Sequence, residues 1–493
     1  MTGQPLILAL DIGTSSTRAI LYDATGVPVP GVRSQLSYVL TTSHEGEASV
    51  PADFLVDLVA CTIDELLKKA GSRAGQIGAV ATSTFWHTLV PLDSSDRPLF
   101  PLMTWEDTRP REAAGTLRQQ LDEAALHKRT GARLHTSYWP AKIAWLATAH
   151  PEIVRQTAHY ASFGEYLHRR LLGQAICSRS MASGTGLLNR RTQTWDKELL
   201  DLLHLSPEFF FSLGNISDAL YGLQPEFASR WPALDQVPWF PAIGDGAAAN
   251  IGSDCFDLTR WAVTIGTSSA LRVVVPPEQV APEQGLWLYT VDTQRALLGG
   301  ALSEGGNMLL WLQQTLQLPP LEKLEEGLKQ LKPAAHGLTI LPMLAGERSP
   351  GWHIHAHMTI SGLTHHTTAV EITLATLEAM IFQLGSVYDQ LRHALVNLVA
   401  QPRLIASGGT LLKSSVLRQL LADTLNCPLE LSEDSEASAR GAALLALEAL
   451  GVLSGHPPST SAPSLIIRPD SQRHAIYKQA RQRQQELYTT LLS

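Results

Sequence analysis

The sequence predicts an α/β protein of two large domains, and three observations carry that expectation. A chain of 493 residues exceeds what one ordinary hydrophobic core organises. The five residues IGTSS stand at 12–16 and again at 265–269, inside the longer stretches DIGTSSTRAILYD and TIGTSSALRVVV. A unit repeated near the midpoint of a chain suggests two related halves, chance recurrence of common turn residues being the alternative. In the second half, short apolar runs also alternate with glycine turns and helix-length apolar segments.

Composition narrows the function classes. Hydrophobic residues make up 44% and charged residues 17%, with a net charge of -8 and no run of Lys or Arg. Nucleic acid and anionic membrane surfaces are therefore not expected as main partners. Cys61, Cys177, Cys255 and Cys427 are far apart and form no CxxC or Cys/His metal spacing, which fits a reducing, cytoplasmic setting. The opening MTGQPLILALDIG lacks a basic region and reads as a strand rather than a signal peptide. The most apolar helical stretch, ARGAALLALEALGVL, carries Arg440 and Glu448 and is too short to span a bilayer.

The elements follow in order. Residues 6–10 form an apolar run that ends in the turn 13–16, and residues 18–22 return as its hairpin partner. The second copy repeats the plan with a strand at 261–265, a turn at 266–269 and a strand at 270–275. LLGGAL (297–302) reads as a strand and GGNMLLWLQQTL (305–316) as the helix after it. Residues 402–431 read as strand, glycine turn, helix, strand, and residues 435–451 as a long apolar helix rich in small residues. The boundary is expected near residue 252, giving domains 1–252 and 253–493. SGHPPSTSAPS (454–464) reads as a polar connector, and residues 470–492 as an amphipathic closing helix.

Three turns can carry chemistry. The first hairpin turn offers backbone amides and the hydroxyls of Thr14, Ser15 and Ser16, which can converge on phosphate oxygens without side-chain charge. Asp11 stands beside it, where a carboxylate next to phosphates calls for a cation; Mg²⁺ takes few carboxylates and shares phosphate oxygens. The plain alternative is an aspartate that starts a turn. In IGDGAAAN (243–250), Asp245 lies between Gly244 and Gly246 at the start of a small-residue helix. It reads either as a helix cap or as a general base held ionised at the helix end. ASGGT (406–410) is a strand-to-helix turn that either is merely tight or admits a flat ligand. Neither GxxxxGK[ST] nor GxGxxG occurs, nor HExxH, and His365-His366 reads as a loop pair.

Together these motifs resemble the FGGY family of carbohydrate kinases, whose fold is two actin-like (ribonuclease H-like) ATPase domains around an interdomain cleft. The resemblance spans about residues 6–450, and GLTHHTTAVEITLATLEAM (362–380) follows the family's second signature. It implies ATP and Mg²⁺ as cofactors, with Asp11 holding the metal through water. Gly13, Thr14 and Ser15 would sit at the phosphates, faced by Gly266 and Thr267. Gly306, Gly408, Gly409 and Lys413 would line the adenosine side, Lys413 standing where Asn is frequent. Asp245 would be the base, with Gly244 and Gly246 leaving room for the sugar.

The substrate side is read from three further segments. In STFWHTLVPLD (83–93), Trp86 and His87 stand where glycerol kinases carry an Arg-Glu pair, which argues against glycerol. TWEDTR (104–109) resembles the W-x-D-x-R segment of gluconate kinases, with Trp105 and Asp107 toward the sugar. Arg109 would pair with a sugar-acid carboxylate or simply with Asp107 or Glu106. AGERSPGW (345–352) resembles a loop of gluconate and xylulose kinases, and its Arg348 is the other carboxylate partner or an ordinary ion pair. The expected activity is ATP-dependent phosphorylation of gluconate, with xylulose, ribulose or another open-chain sugar or polyol as the alternative, and a homodimer as the candidate assembly. An actin-like chaperone or filament ATPase would explain both hairpins, but not Asp245 between glycines or the sugar-side segments. A catalytically weak sugar-sensing relative is the remaining reading.

Overall fold

Two mixed sheets with the same wiring form the frame of the protein. The structure is a computed structural model and describes residues 4–344, 346–432, 436–455 and 465–492. Most of the expected connector, residues 456–464, lies outside the described residues, as does Ser435.

The first sheet is built from β1 (Leu6–Ile12), β2 (Ser16–Tyr22) and β3 (Pro28–Ser37). Helix α1 (Ala52–Ala70) then crosses to β4 (Ile77–Thr84). Residues 85–242 intervene, carrying α2 (Trp139–Ala149) and α3 (Arg179–Thr185), before the two-residue β5 (Ile243–Gly244) and α4 (Asp245–Gly252). The strand order is β5-β4-β1-β2-β3. β1 pairs antiparallel with β2 and parallel with β4. Both faces of β1 are covered, which is why LILALDI reads as a continuous apolar run rather than an alternating one.

The second sheet repeats this plan. β6 (Arg260–Ile265) and β7 (Ser269–Val275) form the second hairpin, followed by β8 (Trp287–Thr290) and β9 (Ala296–Leu302). Then come α5 (Gly306–Thr315), α6 (Leu321–Gln330), α7 (Ala369–Ala394) and β10 (Arg403–Ser407). α8 (Gly409–Lys413), α9 (Ser415–Leu425), β11 (Leu429–Leu431) and α10 (Ala437–Ala449) follow. β12 (Ile466–Ile467) and α11 (Ser471–Leu492) close the chain. The order is β8-β9-β7-β6-β10-β11-β12, with β6 antiparallel to β7 and parallel to β10, as β1 is to β2 and β4.

α7 starts at a capping box in which Thr368 accepts from the Glu371 amide and Glu371 accepts from the Thr368 amide. It is long and apolar enough to cross a membrane, but 78% of its apolar window is buried inside the protein, so it serves as the second domain's core helix.

Two expectations are modified. The helix after ASGGT is broken at Ser414, whose hydroxyl caps α9 by accepting from the Leu417 amide at 3.1 Å. The small-residue helix α10, although it lies in the second half of the sequence, packs on α4 and on β1 and β4 of the first sheet. Its glycines explain the fit. A Cβ on Gly441 would lie 1.8 Å from the Ala248 carbonyl oxygen, and one on Gly252 equally close to that of Ala437. The two helix backbones therefore touch, and the second domain reaches back to brace the helix that begins at Asp245.

Candidate active site

The two hairpin turns leave their amides open toward a cleft between the sheets. In the first, the Gly13 amide donates to the Ser16 carbonyl at 3.0 Å, and Tyr38 fixes the loop through Oη to the Gly13 carbonyl at 2.6 Å. The Thr14 and Ser15 amides make no hydrogen bond among the described residues, and neither do those of Thr267 and Ser268 in the second turn. The second turn is braced from behind: the Gly266 carbonyl accepts from the Gly306 amide at 2.7 Å and from Thr410 Oγ1 at 3.0 Å. Gly306 must lack a side chain, since a Cβ there would sit 2.3 Å from Thr410 Oγ1. Gly408 has φ 101° with its Cβ direction 2.4 Å from the Ile265 carbonyl oxygen, so it turns the chain rather than facing a cavity. Successive open amides of this kind suit anions.

Two cavities meet at the second turn. One, about 300 Å³, lies in the cleft and is lined by Gly13, Thr14, Ser15, Trp86, His87, Trp105, Asp245 and Arg348 among others. The other, about 760 Å³, belongs to the second domain and is lined by Gly306, Gly409, Lys413 and several leucines. Gly266 and Thr267 line both.

Asp245 opens α4, and its Oδ1 accepts from the Gly246 amide at 2.8 Å. Burial pushes its carboxyl above the ordinary value, while the nearby Arg272 guanidinium pulls it back. Arg272, on β7, was not singled out in the sequence. Its Nη2 donates to Thr264 Oγ1 at 3.2 Å, and Thr264 holds in the second hairpin the place that Asp11 holds in the first. The signal that could have found it is the alternation of β7, which turns Ala270 and Arg272 to the cleft. A base must be ionised to act, and loss of a neighbouring cation disfavours ionisation. Arg272→Met is therefore expected to move the acid limb of the kcat–pH profile to higher pH, by about one unit. A limb that stays in place would contradict this coupling.

Asp11 lies just behind the cleft surface. Burial pushes its carboxyl up to about 6, opposed by Arg18, with Asp245 and Glu436 adding to the rise. Arg18 Nη1 lies 3.2 Å from Asp11 and 3.7 Å from Glu436. Among the described residues no group of three or more His, Cys, Asp or Glu could hold a metal ion. A cation held at Asp11 would have to draw its remaining oxygens from a ligand or from water.

On the substrate side, Trp86 is nearly buried and donates its indole N–H to the Ser180 carbonyl at 3.0 Å. Its ring meets Tyr289 edge-on with centroids 4.9 Å apart. A Cβ on Gly244 would lie 1.8 Å from Trp86 Cε2, and one on Gly184 would lie 2.3 Å from Cδ1. This corrects the reading of Gly244: the space beside it is filled by the Trp86 ring and is not left for a substrate. His87 has φ 68° and hydrogen-bonds the Gly184 carbonyl through Nδ1. A carbonyl only accepts, so Nδ1 carries the proton. Burial, with Arg348 nearby, lowers the pKa of His87 well below the ordinary value. The neutral ring leaves Nε2 as an acceptor. Trp287 and Tyr289, from β8, also line the cleft and were missed because nothing local in GLWLYT marks them.

The two arginines separate clearly. Arg109 is not in the cleft lining: it grips the fully buried Asp107, with Nη2 at 2.5 Å, and stacks over Trp145 at 4.8 Å. The expectation that Asp107 and Arg109 meet the substrate is thus corrected in favour of the other reading of Arg109, a pair with Asp107, and its Nη1 also lies 3.6 Å from Glu47. Arg348 lines the cleft, lies over the Trp105 ring at 5.2 Å and makes no ion pair among the described residues.

The chain matches the N-terminal domain of the FGGY family of carbohydrate kinases over residues 6–252 and the family's C-terminal domain over residues 261–450. It is 28% identical to a gluconokinase of Bacillus licheniformis over 456 residues, which cover 90% of this chain and 88% of the relative. A glycerol kinase of Polaromonas sp. is 29% identical over 465 residues, 90% of this chain and 91% of that one. Among solved structures, a gluconate kinase from Lactobacillus acidophilus superposes with a TM-score of 0.89 at 27% identity, covering 99% of this chain and 98% of that chain. A xylulose kinase from the same organism gives the same TM-score and identity over 99% of each chain. With both domain matches in order over most of its length and an actin-like fold around the cleft, the chain belongs to the FGGY family of carbohydrate kinases, enzymes that phosphorylate sugars with ATP.

Proposed function

We propose that this kinase phosphorylates a sugar acid, with gluconate the preferred acceptor. The observation that carries this reading is the Arg348 guanidinium, which faces the cleft with no ion pair among the described residues. The Glu106 and Asp245 carboxylates feel its charge, but among the described residues none lies within ion-pair distance, and a substrate carboxylate would complete it. The likeness to gluconokinases supports the same acceptor.

In this reading ATP occupies the second-domain cavity, adenosine against the leucines near Gly409 and Lys413, with its phosphates at Gly266 and Thr267. The γ-phosphoryl group would then reach the cleft between the open amides of both turns, which would stabilise its spreading charge. Asp11 would hold Mg²⁺ together with phosphate oxygens, and the ion would neutralise charge on the phosphates. Trp86, Trp105 and His87 orient the sugar, and Asp245 accepts the proton of the attacking hydroxyl as the new P–O bond forms and ADP leaves. Domain closure excludes water from this step. A cytoplasmic setting belongs to the same proposal and is supported by four free cysteines.

A second reading, a neutral open-chain sugar such as xylulose, is favoured by the acceptor Nε2 of neutral His87 and by the likeness to the xylulose kinase. The test is ADP release with gluconate, xylulose, ribulose, glycerol, fuculose and erythritol as acceptors. Gluconate is expected to give the highest kcat/KM; a maximum on a neutral sugar would overturn the sugar-acid reading.

A further inference from the structure

Lys142, on α2, is fully buried. A buried ammonium ordinarily needs a carboxylate, yet Lys142 makes no ion pair among the described residues. Its Nζ instead donates to two backbone carbonyls, that of His87 at 2.5 Å and that of Thr104 at 2.8 Å. These carbonyls belong to the two segments that supply the first domain's substrate side, since His87, Trp105 and Glu106 all line the cleft.

The backbone at His87 explains why such a tie is needed. Its φ of 68° is a left-handed conformation that a side chain other than glycine seldom adopts. In that conformation the carbonyl turns inward to Lys142 while the ring reaches the Gly184 carbonyl beside the cleft. Without Lys142 the two carbonyls would lose their donor in a dry interior, and the segments would lose the bond they share. Burial pushes the ammonium down to about 7, opposed by the Asp107 carboxylate. The neutral amine still carries two N–H groups, enough for both carbonyls, so the tie does not depend on charge.

We propose that Lys142 is a positioning residue for the acceptor substrate, joining the His87 and Trp105 segments by their carbonyls so that both present their side chains to one sugar. This rests on the reading of those segments as the sugar site, but not on which sugar binds there.

The test uses the full chain and whichever acceptor is most active in the acceptor comparison, so failure of the gluconate reading leaves it intact. Lys142→Met, which keeps the apolar stem and removes the donors, is expected to raise the sugar KM by about 30-fold, the equivalent of about 2 kcal/mol. The ATP KM should stay at the wild-type value. Sugar and ATP constants that rise together, or an unchanged sugar KM, would overturn the proposal. Should the Met variant not fold, Lys142→Ala purified in ethylammonium supplies the answer. Its sugar KM is expected to fall as the amine is raised while its ATP KM does not move. A sugar KM indifferent to the amine would overturn the proposal.

Discussion

Replacing Asp245 with asparagine is expected to lower kcat by about 10³-fold while leaving ATP binding intact. The substitution is close to isosteric. The Asn oxygen can still accept from the Gly246 amide, which Asp245 Oδ1 now engages at 2.8 Å, so the start of α4 is preserved. What is lost is the anionic carboxylate oxygen proposed to take the hydroxyl proton. The second-domain cavity proposed for ATP does not include residue 245, so the affinity for ATP should not change. The measurement is steady-state ADP release beside a nucleotide titration. Near-normal turnover would remove Asp245 as the base, and lost ATP binding would mean that the variant disturbs the frame.

The second large effect is expected at Arg348. Arg348→Met should reduce kcat/KM for gluconate by about 10²- to 10³-fold, in line with the loss of one partner from a desolvated charge pair. Methionine retains an apolar stem over Trp105, where the guanidinium now lies at 5.2 Å. Neutral acceptors should be affected far less. Arg109 offers no equivalent test. Its guanidinium is committed to Asp107, and removing it would strand a fully buried carboxylate. Activity lost that way would report on folding rather than on the substrate.

The contrast between these two arginines indicates what the sequence could convey. Both hairpins were legible because turn chemistry is local: glycine and hydroxyl residues at fixed offsets, bounded by apolar runs. Asp245 was legible for the same reason, as an acid between glycines at a helix start. Arg109 was ambiguous because a partner two residues away and a ligand in a cleft require the same residue types. Only the turn of the TWEDTR segment decides between them. Gly244 was misread because the ring that fills its space, Trp86, comes from a distant segment. The crossing of α10 onto the first sheet was equally hidden. Its small residues announced close packing, but the surface they meet is a tertiary fact. Arg272 escaped because a strand position carries no motif, although it stands beside Asp245.

The repeated IGTSS takes on a sharper meaning in the structure. Each copy leaves two successive amides open, and the copies differ in what stands at the strand end. Asp11 pairs with Arg18, whereas Thr264 accepts from Arg272, which turns a positive charge toward Asp245. One hairpin thus brings a buried carboxylate to the cleft edge, and the other a cation beside Asp245.

The most direct test of the sugar-acid account compares gluconate with glucitol, the same carbon chain without the carboxylate, in wild type and in Arg348→Met. The quantity measured is the ratio of their kcat/KM values. The account predicts a ratio strongly favouring gluconate in wild type that collapses toward unity in the variant. A ratio unchanged by the substitution, or one already favouring glucitol in wild type, would contradict it.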